Sequence, residues 1–159
     1  MSVSAQGEFA RYGKWRAARI GRNEMARALT AYLKRADVPA RKALQQAIDR
    51  LSFTLTLDDG YLPFETAGYL PCTLDGEDAG FDLRFKDLSA IVAETPGVAG
   101  SLGERDVAMS CKWGGDPREE ATALAVCAAL AKEFGALVER DGTILSDEEI
   151  LKQAKGALV

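Results

Sequence analysis

Between Val107 and Phe134 the hydrophobic pattern changes period, and the change predicts the two elements around which the chain is organised. Val107, Met109, Cys111 and Trp113 alternate with Ala108, Ser110 and Lys112, the period-two pattern of a half-buried strand whose inward register Trp113 continues. Gly114 and Gly115 then turn the chain, and DPREEATALAVCAALAKEF follows with Ala121, Leu124, Ala125, Ala128 and Ala131 at helical spacing. Asp116 is placed to accept the free amides of the first turn, and Pro117 follows where its missing N–H is harmless. Glu119 and Glu120 favour the positive end of the helix dipole, and Gly135 supplies a left-handed stop. Ala123, Val126, Cys127, Ala129 and Leu130 make the other side apolar too, which predicts a helix buried by its fold and approached closely through its alanines.

The remaining pattern is read in chain order. Residues 8–22 interleave Phe9, Tyr12 and Trp15 with Arg11, Lys14, Arg16, Arg19 and Arg22, which predicts a basic amphipathic helix with its aromatic side laid on the domain. Glu24–Lys34 reads as a helix with Met25, Leu29, Tyr32 and Leu33 on one side. Asp37 and Pro39 open a second helix carrying Leu44, Ala47, Ile48 and Leu51, so that the two form a helical hairpin. SFTLTL alternates as a strand, although the same residues also allow the helix to continue. Leu70, Cys72 and Leu74 alternate, DGEDAG turns the chain, and Phe81, Leu83 and Phe85 alternate on the return, a β-hairpin with an acidic tip. Asp87–Ala93 reads as a short helix and ETPGVAGSLGERD as a flexible connection. Ala136–Glu139 is a strand, Asp141-Gly142 a turn and Thr143–Leu145 a further strand; Ser146 and Glu149 then form a capping box for a last helix, Asp147–Ala157.

These elements define an α+β protein. The expected architecture is one domain spanning residues 1–159: an antiparallel sheet of about four or five strands, the buried Ala-rich helix on one face and the N-terminal helices alongside. A chain of 159 residues buries about 68–70% of its unfolded surface and needs no staples. No apolar run approaches the ~20 residues of a membrane span, and the N-terminus lacks the apolar region of a secretory signal. Cys72, Cys111 and Cys127 contain no CxxC pair and fall on core faces, which suits small buried hydrophobes in a reducing, cytoplasmic setting.

Charge and chemistry narrow the function classes. The chain has no histidine, which removes the commonest general base and metal ligand, and with it the usual Ser-His and Cys-His pairs. Residues 1–50 carry 11 Lys+Arg against 4 Asp+Glu, whereas residues 51–159 carry 9 against 20. The larger part is therefore an acidic object that attracts a basic one. Asp75, Glu77, Asp78 and Asp82 cluster at the hairpin tip, but their spacing is not that of a calcium loop and its closing glutamate is missing; the Asp58, Asp59 pair reads the same way. Gly97, Gly100 and Gly103 are three apart, yet no strand precedes them and no Lys-Ser or Lys-Thr closes the loop, so they are not a phosphate cradle. No catalytic set, metal or cofactor is expected.

Two pieces, GYLPCTLDGEDAGFDL and SCKWGGDPREEATALAVCAALAKEFGALV with its terminal DGTILSDEEI, resemble a pattern in small bacterial proteins encoded beside secreted polymorphic toxins and acting as immunity proteins. The resemblance covers residues 66–155, leaves the basic N-terminal region outside, and brings no catalytic residues with it. It implies a cytoplasmic α+β protein that neutralises one cognate toxin by stoichiometric binding, with no membrane partner. On charge alone the contact surface is Asp75, Glu77, Asp78 and Asp82, rimmed by Asp58, Asp59 and Tyr61. Two other classes compete with it. One is a nucleic-acid or adaptor module that uses the basic arm; the other is a carboxylate and metal-dependent enzyme.

Overall fold

The structure is a computed structural model in which residues 27–87 and 100–158 are described. The expected basic helix over residues 8–22, the short helix after Asp87 and the first part of the glycine loop lie outside those residues. Two antiparallel sheets share one core. The strands are β1 (Ala28–Leu33), β2 (Leu55–Leu57), β3 (Ala67–Leu70), β4 (Cys72–Leu74), β5 (Glu77–Asp78), β6 (Phe81–Asp87), β7 (Val107–Lys112), β8 (Leu137–Arg140) and β9 (Thr143–Leu145). The helices are α1 (Arg41–Asp49), α2 (Pro117–Phe134) and α3 (Asp147–Ala157), with a 3-10 turn at Arg35–Asp37. Six strands form the large sheet in the order β9-β8-β1-β7-β6-β3, and β2-β4-β5 form the small one. The class is α+β, as expected, but the strands exceed four or five and occupy two sheets.

β1 is the main correction. The stretch expected as a helix over Glu24–Lys34 is, from Ala28 onwards, a central strand paired with β7 on one side and β8 on the other. Leu29, Ala31 and Leu33 face the main core, whereas Tyr32 faces a small cluster with Leu102 and Ala108 on the other side of the sheet. A strand apolar on both faces loses its alternation, and Leu29 and Leu33, four apart, then imitate a helical stripe. The helical hairpin therefore does not exist, and α1 stands alone. It ends at Asp49, and Ser52, with a left-handed φ of 68°, then turns the chain towards the strand at Leu55–Leu57.

The hairpin is present and longer than expected. Its register runs without a slip from Ala67↔Arg84 and Leu70↔Phe81 to Thr73↔Asp78 and Leu74↔Glu77. Asp75 and Gly76 close it with φ of 54° and 83°, the two left-handed residues of a tight hairpin turn. Pro71 and Gly80 lie opposite each other in this register, and there the ribbon leaves the large sheet for the small one. Pro71 has no N–H to donate, while its carbonyl accepts from Asp58 N at 3.1 Å and so begins the pairing with β2.

α2 is the spine. Asp116 accepts Arg118 N, Pro117 is at the first helical position and Gly135 closes the helix at φ 74°. Every residue from Ala121 to Leu130 is buried, because the sheet, α1 and α3 cover the helix on different sides. Arg140 ties the packing together. Its guanidinium is 5% exposed, donates to Gln153 of α3 at 2.9 Å and Glu120 of α2 at 3.0 Å, and lies over the half-buried ring of Trp113. The capping box of α3, Ser146 with Glu149, forms as expected.

Candidate functional site

The small sheet presents its outer face to solvent, and that face is polar for a simple reason. Leu55, Leu57, Cys72 and Leu74 point into the core, so the alternate positions Thr56, Thr73 and Asp78 point out. The register places Thr56 opposite Thr73 and Thr73 opposite Asp78, which makes one polar row across three strands. Beside the row, Asp58 Oδ2 accepts Gly60 N at 2.8 Å, and this turn projects Asp59 into solvent, where its side chain is 99% exposed. Arg41, Thr56, Asp58, Asp59, Thr73 and Asp78 surround an open cleft of about 260 Å³ whose floor includes Leu57, Pro71 and Cys72.

α1 fixes one wall of the cleft. β2 is an edge strand, and its outer backbone groups are taken by two side chains of α1. Gln45 donates from Nε2 to Leu55 O at 2.7 Å and accepts Leu57 N at Oε1 at 2.9 Å, so its amide replaces the peptide of a missing neighbouring strand. Asp49 Oδ1 holds the same Nε2 at 2.9 Å. Arg41 donates to Leu57 O at 2.6 Å and to Asp58 O at 3.1 Å, and its Nε lies 3.4 Å from Asp59 Oδ1. The cleft thus has three carboxylates and one cation, and that cation is largely committed to backbone carbonyls.

The structure distributes the expected site residues unevenly. Asp58, Asp59 and Asp78 meet at the cleft; Asp75 is exposed at the turn beside it, its N–H donating to Thr54 O. Glu77 is next to Asp78, but Arg118 of α2 holds it at 3.1 Å. Asp82 lies past the bend, in the large sheet, in a two-pronged pair with Arg84 at 2.9 and 3.2 Å. Tyr61 is not a rim residue. It is buried, and its hydroxyl donates to Pro39 O at 3.0 Å. Burial, and to a lesser degree the neighbouring Cys111, pushes its pKa well up. Cys72, beneath the cleft, is pushed up to about 12 by burial and then by Asp58, so it is a neutral thiol and no nucleophile.

Arg41, Gln45, Thr56 and Thr73 were not expected at a site. The two threonines were legible as the outward positions of their strands; the two α1 residues were not, because their role depends on where an unrelated edge ends. Among the described residues no three acidic or cysteine side chains converge as metal ligands, and no helix is long and apolar enough to cross a membrane. The chain matches no family model, no curated protein and no solved structure, so the site stands on its own geometry.

Proposed function

We propose that this protein neutralises a basic partner protein, a toxin, by stoichiometric binding through the outer face of the small sheet. The observation that carries the reading is the set Asp59, Asp75 and Asp78. Asp59 and Asp78 line the cleft and Asp75 is exposed on the turn beyond it; among the described residues Asp75 and Asp78 have no cation and Asp59 only the shared Arg41. A lysine or arginine of the partner entering the cleft meets carboxylates and threonine hydroxyls around it. The rigid parts already present, a sheet edge clamped by Gln45 and a two-residue turn, keep the ordering cost of binding low. Glu77 and Asp82, held by Arg118 and Arg84, contribute less than their sequence clustering suggested. The toxin itself follows from the resemblance in residues 66–155, and the acidic cleft is compatible with it.

The test combines capture with charge reversal. Tagged protein is recovered with its partners from the cells that make it, at low and moderate salt, beside the variant D59K/D75K/D78K. The expected result is one equimolar basic protein that kills cells when produced alone. Its association with the variant should be slower by about 10 to 1,000-fold, with most of the salt dependence gone. A partner that binds the variant as quickly as the parent, or a captured protein that is harmless alone, refutes the reading.

A further inference from the structure

β3 ends the large sheet, and the register shows which of its backbone groups are open. Ala79 N donates to Cys72 O at 2.9 Å, so in this antiparallel ribbon the hydrogen-bonded pairs are 72 with 79, 70 with 81 and 68 with 83. Gly68 and Leu70 therefore direct their N–H and C=O groups to β6, whereas those of Ala67 and Tyr69 point outward. Among the described residues no strand lies beyond them. The contrast with β2, whose edge is closed by Gln45, is direct. β3 also lacks the lysine, proline or bulge that ordinarily blunts an edge.

The apolar surface gathers at the same place. Of the four large apolar residues that are exposed among the described residues, Leu62 at 52%, Phe64 at 39% and Tyr69 at 61% belong to β3 or the loop entering it. Phe64 is anchored against Phe85, with ring centroids 5.3 Å apart, beneath Arg35. Gly68 sits in the middle of the strand at φ 131°, and nothing lies within 4 Å of where its Cβ would be. A glycine at such a position leaves room for another backbone to come close.

We infer that β3 pairs with β3 of a second copy of this chain, antiparallel across a two-fold axis at Gly68, joining two six-stranded sheets into one. Self-complementarity selects this occupant. With Gly68 on the axis, Ala67 of one copy faces Tyr69 of the other, so the large ring lies over the small side chain on both sides of the axis. Ala67 and Tyr69 of each copy then exchange both backbone hydrogen bonds with their counterparts, four in all by the antiparallel pattern. The register brings no like charges together: within each copy Tyr69 is opposite Asp82 and Ala67 opposite Arg84, and those two charges are already paired with each other. The row across the joint therefore reads Asp82, Tyr69, then Ala67 and Arg84 of the second copy, with no charge at the joint itself. This surface lies on the large sheet and is independent of the acidic cleft.

The association is tested on the full chain by sedimentation velocity from about 10 µM to 1 mM, the range suited to a small interface. Mass should rise from 17.1 kDa towards twice that value. A67P removes only an outward N–H, and Y69K places a cation at the joint; each should weaken association at least tenfold while leaving the melting temperature within about 2 °C. In the unaltered protein, hydrogen exchange at the Ala67 and Tyr69 amides should slow as concentration rises. A 17.1 kDa monomer across the range overturns the inference. So does a dimer equally strong in both variants, or one in which those two amides exchange at a concentration-independent rate. A chain that stays monomeric but takes up a strand of another protein overturns the self-pairing as well.

Discussion

Replacing Gln45 tests whether one side-chain amide really stands in for a strand. In Gln45→Leu the volume is nearly kept, but Leu55 O loses its donor and Leu57 N its acceptor, contacts of 2.7 and 2.9 Å in a part-buried position. Each such bond contributes about 1 kcal/mol net, and a group that water reaches poorly costs more when left unpaired. The expected destabilisation is therefore about 2–3 kcal/mol. For a domain of this size that is a fall of about 5–10 °C in melting temperature, and urea unfolding should show a lower midpoint at unchanged slope. Gln45→Glu sharpens the test. Its protonated form still offers one donor and one acceptor, whereas its ionised form sets negative charge against Leu55 O and Asp49. The folded state therefore raises the pKa of the new carboxyl, so stability is full below the unfolded value and is lost as pH rises through the folded one. Melting curves from pH 3.5 to 8, corrected by the parent protein, should show that loss. A Gln45→Leu variant within about 0.5 kcal/mol of the parent, or a Gln45→Glu variant whose deficit does not vary with pH, refutes the idea that the edge is closed by this amide.

Three other outcomes follow from the same structure. Cys72, Cys111 and Cys127 are all buried, and Cys111 is raised by its bond to Cys127 4.0 Å away and then by burial, so a thiol reagent at pH 8 should find no reactive cysteine in the folded protein and three in denaturant. Tyr61→Phe should cost about 1–2 kcal/mol in chemical denaturation, because Pro39 O loses its buried donor; in the parent, a spectroscopic tyrosine titration should find Tyr61 still protonated above the ordinary tyrosine range. Ser146→Ala should cost about 1 kcal/mol. Glu149 has its pKa lowered by the Ser146 backbone first and the Ser146 hydroxyl second. Its share of stability is thus present above the unfolded carboxylate value and disappears as pH falls through the lowered one, a step that Glu149→Gln should remove from an acid denaturation curve.

What the sequence made legible was local. Asp116, Pro117 and Gly135 mark the ends of α2 because caps depend on neighbouring atoms alone, and the Ser146 to Glu149 box is the same kind of signal. The ribbon from Ala67 to Asp87 was readable from alternation around a tight turn; its division between two sheets was not, although Pro71 opposite Gly80 marked the bend. β1 was misjudged because burial on both faces erases the period that identifies a strand, and its partners are far away in sequence. The acidic residues were found by composition, yet composition cannot tell a free carboxylate from one held by an arginine of another element. Asp75 and Asp78 proved free among the described residues, while Glu77 and Asp82 did not. Tyr61 looked like a rim residue beside two aspartates, and only the fold turns it inward to Pro39.

The position of β1 has a consequence for synthesis. Ala28–Leu33 is inserted between β7 and β8, and its Thr30 pairs with Ser110 and Glu139, so the middle of the large sheet joins residues made early to residues made late. A ribosome adding about 5–20 residues per second needs about 5–20 s to reach Glu139 after Thr30. Until β7 has been made, an apolar segment, ALTAYL, has neither of its strands to pair with, and from then until β8 only one, while the β3 to β6 ribbon, whose pairs are close in sequence, can already form. The nascent chain thus carries an apolar early segment whose second strand partner is missing until β8 has been made.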